Sequence, residues 1–120
     1  MPVWINTEFI FYLPDEEQAD YLHFDIEHTM ESLEHTEFNG VYAADFAAEA
    51  RLDDFLISDE QDLGFILTVK HVGNKVYVGA HAPWNVQTEM WRAFFDKYYA
   101  DIPIGIVCWG YKKGKPLDES

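Results

Sequence analysis

Carboxylates are the residues whose number and spacing in this sequence most suggest a chemical role. Residues 15–37 contain nine of them and no lysine or arginine. If this segment is a helix, five of the carboxylates fall along one flank: Glu16, Asp20, Glu27, Glu31 and Glu34. Like charges one turn apart destabilise a helix. We infer that this flank serves a purpose other than helix stability.

These residue types do not indicate catalysis or metal binding. General acid–base catalysis by paired acids needs one carboxyl group in an apolar pocket, whereas these acids are expected on a solvated flank. The histidines do not follow the spacings of helical metal sites; they are His23, His28, His35, His71 and His81. The sequence contains no glycine-rich phosphate loop, nucleophile elbow or CxxC motif. We therefore predict a binding protein, not an enzyme, with no cofactor and no metal.

Charge is distributed unevenly along the 120 residues. Residues 1–62 contain 17 acidic residues and one basic residue, Arg51, whereas residues 63–120 contain five acidic and seven basic residues. A second acidic cluster follows Arg51 and consists of Asp53, Asp54, Asp59, Glu60 and Asp62. Such a surface repels nucleic acid and anionic membranes and attracts basic surfaces. The expected partner is a basic nucleic-acid-binding protein, with no direct binding of nucleic acid or membrane.

Hydrophobic periodicity predicts the elements that position these residues. Residues 3–13 alternate as a strand, and Asp15 with Gln18 resembles the start of a helix. Gly73-Asn74 is a two-residue loop of the kind that closes a hairpin. The remaining predictions are strands at 65–72, 75–81 and 104–111, a helix at 86–99, an insertion at 41–63 with a possible short helix at 43–56, and a loose polar tail at 112–120.

The order of these elements predicts an α+β fold of the ferredoxin-like, split βαβ type. We expect one domain over residues 1–111, with a four-stranded antiparallel sheet, two helices on one face and the acidic insertion after the first helix. The other sheet face is expected to be aromatic, with Trp4, Ile10, Tyr12, Tyr77 and Trp109 as candidates. It would be covered by the insertion, by a second copy or by a partner.

Other features bear on location. The sequence has no apolar run long enough to cross a membrane and no secretory leader, so we expect the cytoplasm. Cys108, the single cysteine, lies in an apolar run and is predicted to be a buried thiol. Aromatic residues interleaved with lysine on a sheet would indicate single-stranded RNA binding, but the net charge of -14 argues against it.

Three short segments carry a resemblance to a known family. The opening MPVWINTEFIFYL, the segment AHAPWNV before the second long helix and a closing aromatic strand that ends in YKKG resemble small ferredoxin-like-domain proteins carried by phages and plasmids. The resemblance covers the first strand and the C-terminal part of the chain, and leaves the acidic helix and the insertion unmatched. It implies a mobile-element setting, hence the cytoplasm of a bacterial host, and no catalytic residue.

Together these observations favour an inhibitor that imitates nucleic acid. The acidic flank and the second acidic cluster would occupy the basic groove of a nuclease, restriction enzyme or CRISPR effector, as in an anti-defence protein. Tyr21 and Phe24, beside the acids, would supply apolar contact with the partner. Two alternatives stay open: an immunity protein that neutralises a nuclease toxin, and a ferredoxin-like homodimer whose sheets enclose a small ligand or a catalytic pocket.

Overall fold

The computed structural model describes residues 4–33, 40–52, 64–83, 86–112 and 115–119. Within these ranges the chain forms a single six-stranded antiparallel sheet and three helices. The elements are β1 (Trp4–Tyr12), α1 (Glu16–Glu31), β2 (Val41–Tyr42), α2 (Ala43–Glu49), β3 (Phe65–Val72), β4 (Lys75–Pro83), α3 (Val86–Tyr98), β5 (Gly105–Lys112) and β6 (Lys115–Glu119). The strand order is β2-β3-β4-β1-β5-β6.

The predicted fold is confirmed in part. The chain is α+β with an antiparallel sheet, and the four strands expected from the sequence are adjacent in its middle as β3-β4-β1-β5. The predicted count of four strands is too low, because β2 and β6 extend the sheet at its edges. The helix α2, within the predicted insertion, contacts both α1 and α3. The helix layer therefore contains the two long helices that were expected and, in addition, the short helix of the insertion.

Alternation in β1 directs one face of the sheet toward the helices. Thr7, Phe9 and Phe11 are buried, whereas Asn6 and Tyr12 on the opposite face are exposed. The helix α1 adds an apolar stripe to the same core, made of Ala19, Leu22, Ile26 and Met30. Spacings of three and four residues place these side chains on one side of the helix. Their burial fixes the rotation of α1 about its own axis, and with it the direction of the acidic flank.

Two turns hold the ends of β1 and α1. The carboxylate of Asp15 accepts a hydrogen bond from the backbone N–H of Gln18 at 2.9 Å, which confirms the predicted start of α1. The predicted hairpin loop is also confirmed, since Gly73 has φ +59° between β3 and β4. The side-chain amide of Asn74 then donates to the backbone carbonyl of Leu13 at 3.0 Å. The backbone carbonyl of Asn74 accepts from the N–H of Leu13 at 2.9 Å.

The helix α2 is shorter than the prediction of 43–56. It ends with the two hydrogen bonds of a Schellman turn, from Leu52 N–H to Ala47 O at 2.9 Å and from Arg51 N–H to Ala48 O at 3.1 Å. Arg51 has φ +59°, in the left-handed region that glycine normally occupies at this position. Leu52 is buried, so its packing compensates for the strained residue before it.

This turn gives a first testable prediction. Arg51→Gly is expected to raise the free energy of unfolding by about 1 kcal/mol, because glycine adopts the left-handed conformation without the clash of a side chain. Arg51→Ala removes the same charge but keeps a Cβ, so it should give no such gain. Urea unfolding followed by circular dichroism measures both variants. Equal stabilities for the glycine and alanine variants would contradict the strained conformation.

The C-terminal segment differs from the expected loose tail. Residues Lys115–Glu119 form β6 and pair antiparallel with β5, with Cys108 opposite Glu119 and Lys112 opposite Lys115. Without this pairing, β5 would be an edge strand with unpaired backbone groups. The insertion also has structure in its described part, since residues 41–49 form β2 and α2. No helix among the described residues is long and apolar enough to cross a membrane.

Candidate functional site

The outward face of α1 is the candidate site. Four of the carboxylates predicted for it are exposed, namely Glu16, Asp20, Glu27 and Glu31. Tyr21 and Phe24 lie on the same helix, and each is 60% exposed. The remaining predicted site residues, Glu34, Asp53, Asp54, Asp59, Glu60 and Asp62, lie outside the described residues. The structure therefore brings together four acids and two exposed aromatic rings on a single helix.

The charge of this face is not balanced by lysine or arginine in the described part of the chain. The ion pairs there both involve histidine: His23 Nε2 lies 3.5 Å from Glu27 Oε2, and His71 Nδ1 lies 3.9 Å from Asp20 Oδ1. These contacts carry opposite charge only when the histidines are protonated. The carboxylates also remain accessible, because the side chains of Glu27 and Asp20 are 50% and 75% exposed.

Aromatic contacts organise the surface around the acids. The rings of Phe24 and His28 stack with their centroids 5.5 Å apart and their planes inclined by 7°. A second pair, His23 and His71, stacks across α1 and β3 at 5.9 Å. The first pair follows from a spacing of four residues. No pattern in the sequence indicates the second pair, because His71 reaches α1 through the tertiary fold.

Asp25 behaves differently from the other acids of α1. It accepts a hydrogen bond from the hydroxyl of Tyr99, which follows the end of α3. Burial of Tyr99 raises the pKa of its hydroxyl well above the usual range, and the hydrogen bond and negative charge of Asp25 raise it further. Asp25 thus anchors α1 to the end of α3, and we assign it a structural role.

The Tyr99–Asp25 contact predicts a specific dependence of stability on pH. A folded-state pKa above the unfolded value of about 10 means that the stabilisation is fully present below pH 10 and is lost as the pH rises above it. Tyr99→Phe should therefore lower stability by about 1–2 kcal/mol at neutral pH. The deficit should shrink above about pH 10. Urea unfolding of both chains at neutral and alkaline pH measures this, and a deficit that is constant with pH would contradict it.

The described residues offer little for metal binding. They contain no group of three or more histidine, cysteine, aspartate or glutamate side chains placed to hold a metal ion. Two histidine–carboxylate pairs lie on this face as separate contacts. The nitrogen–oxygen distance is 3.5 Å between His23 and Glu27 and 3.9 Å between His71 and Asp20. What this face can do chemically is attract and hold cationic groups.

The molecule is an α+β protein with an antiparallel sheet and an acidic helix exposed on its helical layer. A comparison with protein families, with curated proteins and with solved structures finds no match for the chain. The resemblance to ferredoxin-like phage and plasmid proteins stays a prediction from the sequence.

Proposed function

We propose that this is a small acidic binding protein that occupies the basic groove of a nucleic-acid-handling protein by presenting carboxylates in place of phosphates. The observation that supports the proposal is the exposed face of α1. Its carboxylates have no lysine or arginine partner within the described residues, where the ion pairs involve histidine alone. A protein that used acids for stability alone would interleave them with basic residues.

The charge along the proposed face of α1 can be compared with that of a nucleic-acid strand. The helix has 16 residues, and four of its exposed carboxylates lie on the proposed face. At a rise of about 1.5 Å per residue the helix is about 24 Å long, so the face carries one negative charge per about 6 Å. One strand of B-form DNA carries one charge per about 3.4 Å of helix axis. A groove lined with lysine and arginine at the spacing of phosphates would therefore meet on this face a little more than half the charges of a strand of the same length.

Tyr21 and Phe24 support a protein partner for this face. Each is 60% exposed beside the acids, and aromatic residues commonly dominate the binding energy of protein interfaces. Acidic side chains accelerate the encounter with a basic surface, whereas buried aromatic contacts slow dissociation. In this arrangement the carboxylates select a basic groove and the two rings hold the complex together.

The groove that best fits this chemistry belongs to an enzyme that binds nucleic acid. Nucleases, restriction enzymes and CRISPR effectors all hold a charged backbone in a channel lined with basic side chains. With the mobile-element setting that the sequence resemblance implies, the protein would act as an anti-defence inhibitor in a bacterial host. The acids of residues 53–62, which are predicted from the sequence to take part in the same contact, lie outside the described residues.

The test is capture of partners from nuclease-treated bacterial lysate on the immobilised protein, followed by elution with increasing salt. We expect nucleic-acid-binding enzymes to bind at about 50 mM salt and to elute by about 200 mM, because screening weakens contacts between exposed charges. The identity of the captured enzyme, a defence complex or a toxin, separates an inhibitor from an immunity protein. Capture of proteins without nucleic-acid-binding activity would contradict the proposal.

A further inference from the structure

The sheet face opposite the helices is a second candidate surface. In an antiparallel sheet, directly opposed residues point to the same face. The register of the central strands places Lys70, Tyr77, Ile10 and Val107 in one such row, and Thr68, Gly79, Glu8 and Trp109 in the next. This confirms the shared face predicted for Ile10, Tyr12, Tyr77 and Trp109, while the side chain of Trp4 lies outside the described part of the chain.

Aromatic and apolar side chains extend across this open face. The rings of Tyr42 and Phe65 are 4.9 Å apart between β2 and β3, and Phe65 stacks on His81 of β4 at 6.5 Å. His81 Nδ1 in turn lies 3.1 Å from Asn6 Oδ1 on β1. Tyr42 is 37% exposed. The described helices all pack on the other side of the sheet, so none of them covers this surface.

Charge separates this face from the rest of the molecule. Across the four central strands, the open-face positions carry one carboxylate, Glu8, and two lysines, Lys70 and Lys75. Lys75 Nζ lies 5.4 Å from the ring centre of Tyr12 on the same face. The acids of α1 lie in the helix layer, on the opposite side of the sheet. A protein with a net charge of -14 thus keeps one broad face almost neutral and largely apolar.

We propose that this open face binds the same face of a second copy of the chain, forming a two-fold symmetric dimer with the sheets packed together. The inference does not depend on the proposed function of α1. A two-fold interface brings identical surfaces together, and the open face is suited to this because it carries both signs of charge. Glu8 is half-buried and has no ion-pair partner within the described residues of its own chain, and a two-fold axis can offer it a lysine of the other copy.

The size of the face agrees with a dimer interface. Strands are about 4.8 Å apart and residues on one face recur about every 6.8 Å, so four strands with four rows cover roughly 500 Å² in projection. The edge strands β2 and β6 have two and five residues and add roughly 100 Å² in projection. The total of roughly 600 Å² is below the roughly 800 Å² per partner of a standard interface, and the relief of the side chains reduces the difference.

Electrostatic repulsion also favours this face over contact between two copies through their helix layers. Packed sheets lie about 10 Å apart, with a helix layer of similar thickness outside each. The two α1 helices would then be separated by about 30 Å, several times the Debye length of about 8 Å at physiological salt. Contact through the helix layers would instead bring the two sets of carboxylates together.

Single-stranded nucleic acid is the competing occupant of an aromatic sheet. Such sites combine stacking rings with a positively charged groove along the backbone. The open face of the central strands provides two lysines and no arginine at its register positions, on a chain with 22 acidic residues. The observations therefore favour a second copy.

The test is the mass of the full chain in solution, measured by sedimentation equilibrium at several concentrations. We expect the wild-type protein at tens of micromolar, a working range in which interfaces of this size associate, to have twice the 14.0 kDa mass of the chain. The double variant Ile10→Lys, Tyr77→Lys should be monomeric, because it places uncompensated charge in the interface. The matched control Tyr21→Lys, Phe24→Lys makes the same change in charge on α1 and should remain dimeric.

Three results would overturn the dimer. A wild-type monomer at every concentration excludes it, and a monomer that binds a fluorescent oligothymidine in a manner abolished by the open-face variant assigns the surface to nucleic acid. A dimer that persists in the open-face variant but dissociates in the α1 control places the interface on the helix. Circular dichroism of both variants checks folding, and Tyr77→Ser provides a milder substitution if the lysine pair unfolds the sheet.

Discussion

Replacing Trp91 by alanine is expected to lower the free energy of unfolding by about 4 kcal/mol. Trp91 is fully buried at the centre of the core, with the rings of Phe46 and Phe11 at centroid distances of 5.1 and 5.3 Å. The substitution leaves a cavity that the sheet and α2 can only partly fill. It also removes the indole N–H that donates to Gln87 Oε1 at 3.1 Å. Urea unfolding followed by circular dichroism measures the loss.

Two companion variants separate the causes of this loss. Trp91→Phe keeps an aromatic ring and removes the hydrogen bond to Gln87, so its cost should be intermediate. Tyr21→Ala removes an aromatic side chain that is 60% exposed and should change stability by less than about 0.5 kcal/mol. A cost below about 1 kcal/mol for Trp91→Ala would contradict a single core shared by α2, α3 and the sheet.

Charge reversal on α1 should reduce partner binding roughly a hundredfold. The variant Asp20→Lys, Glu27→Lys, Glu31→Lys replaces three exposed carboxylates that we propose meet basic side chains. A loss of about 1 kcal/mol for each contact corresponds to about a hundredfold in the dissociation constant for the three. Folding should change little, because the buried stripe of α1 is untouched. Surface plasmon resonance against the captured partner measures the affinity.

A second triple variant controls for the change in net charge. Glu49→Lys, Asp96→Lys, Asp101→Lys also replaces three exposed acids, at or beyond the C-terminal ends of α2 and α3, where basic residues are favourable. Both variants change the net charge equally. We expect the control to weaken binding by less than about tenfold, through long-range attraction alone. Equal losses in the two variants would show that overall charge, and not the α1 face, determines affinity.

Local patterns explain what the sequence predicted correctly about the fold. The strand alternation within residues 3–13, the cap at Asp15 and the loop at Gly73-Asn74 depend on neighbouring residues, and the structure confirms the cap, the loop and a strand at Trp4–Tyr12. The two residues of β2 are too short to show alternation. At the end of α2 the left-handed conformation is adopted by Arg51. The glycine that usually marks a helix end in a sequence is therefore absent there. β6 forms because it pairs with β5. Its own residues are a polar segment that contains proline, and such a segment does not predict a strand.

In the candidate site too, the sequence predicts the features that depend on neighbouring residues and misses those that depend on the tertiary fold. The exposure of Glu16, Asp20, Glu27 and Glu31 follows from the helical period once the buried stripe is known. The structural role of Asp25 depends on Tyr99, which is 74 positions away in sequence. The contact of Asp20 with His71 likewise depends on how α1 packs on β3. Long-range contacts of this kind leave no spacing for sequence analysis to detect.

The two surfaces have complementary consequences if both proposals hold. A dimer formed through the open sheet face would direct its two α1 helices outward, away from each other. Each dimer would then present two acidic faces, and a target with two basic grooves could bind both at once. Linking two binding faces raises the apparent affinity without any new contact, provided that the geometry allows simultaneous engagement.

A protein that imitates the phosphate backbone and nucleic acid should exclude each other from the same partner. The captured partner is saturated with a fluorescent nucleic-acid ligand, and its anisotropy is followed as this protein is added. We expect complete displacement of the ligand by the wild-type chain and by the Glu49, Asp96, Asp101 control, with roughly a hundredfold more of the α1 charge-reversal variant needed. A ternary complex, in which partner, nucleic acid and this protein are bound together, would contradict mimicry of the phosphate backbone.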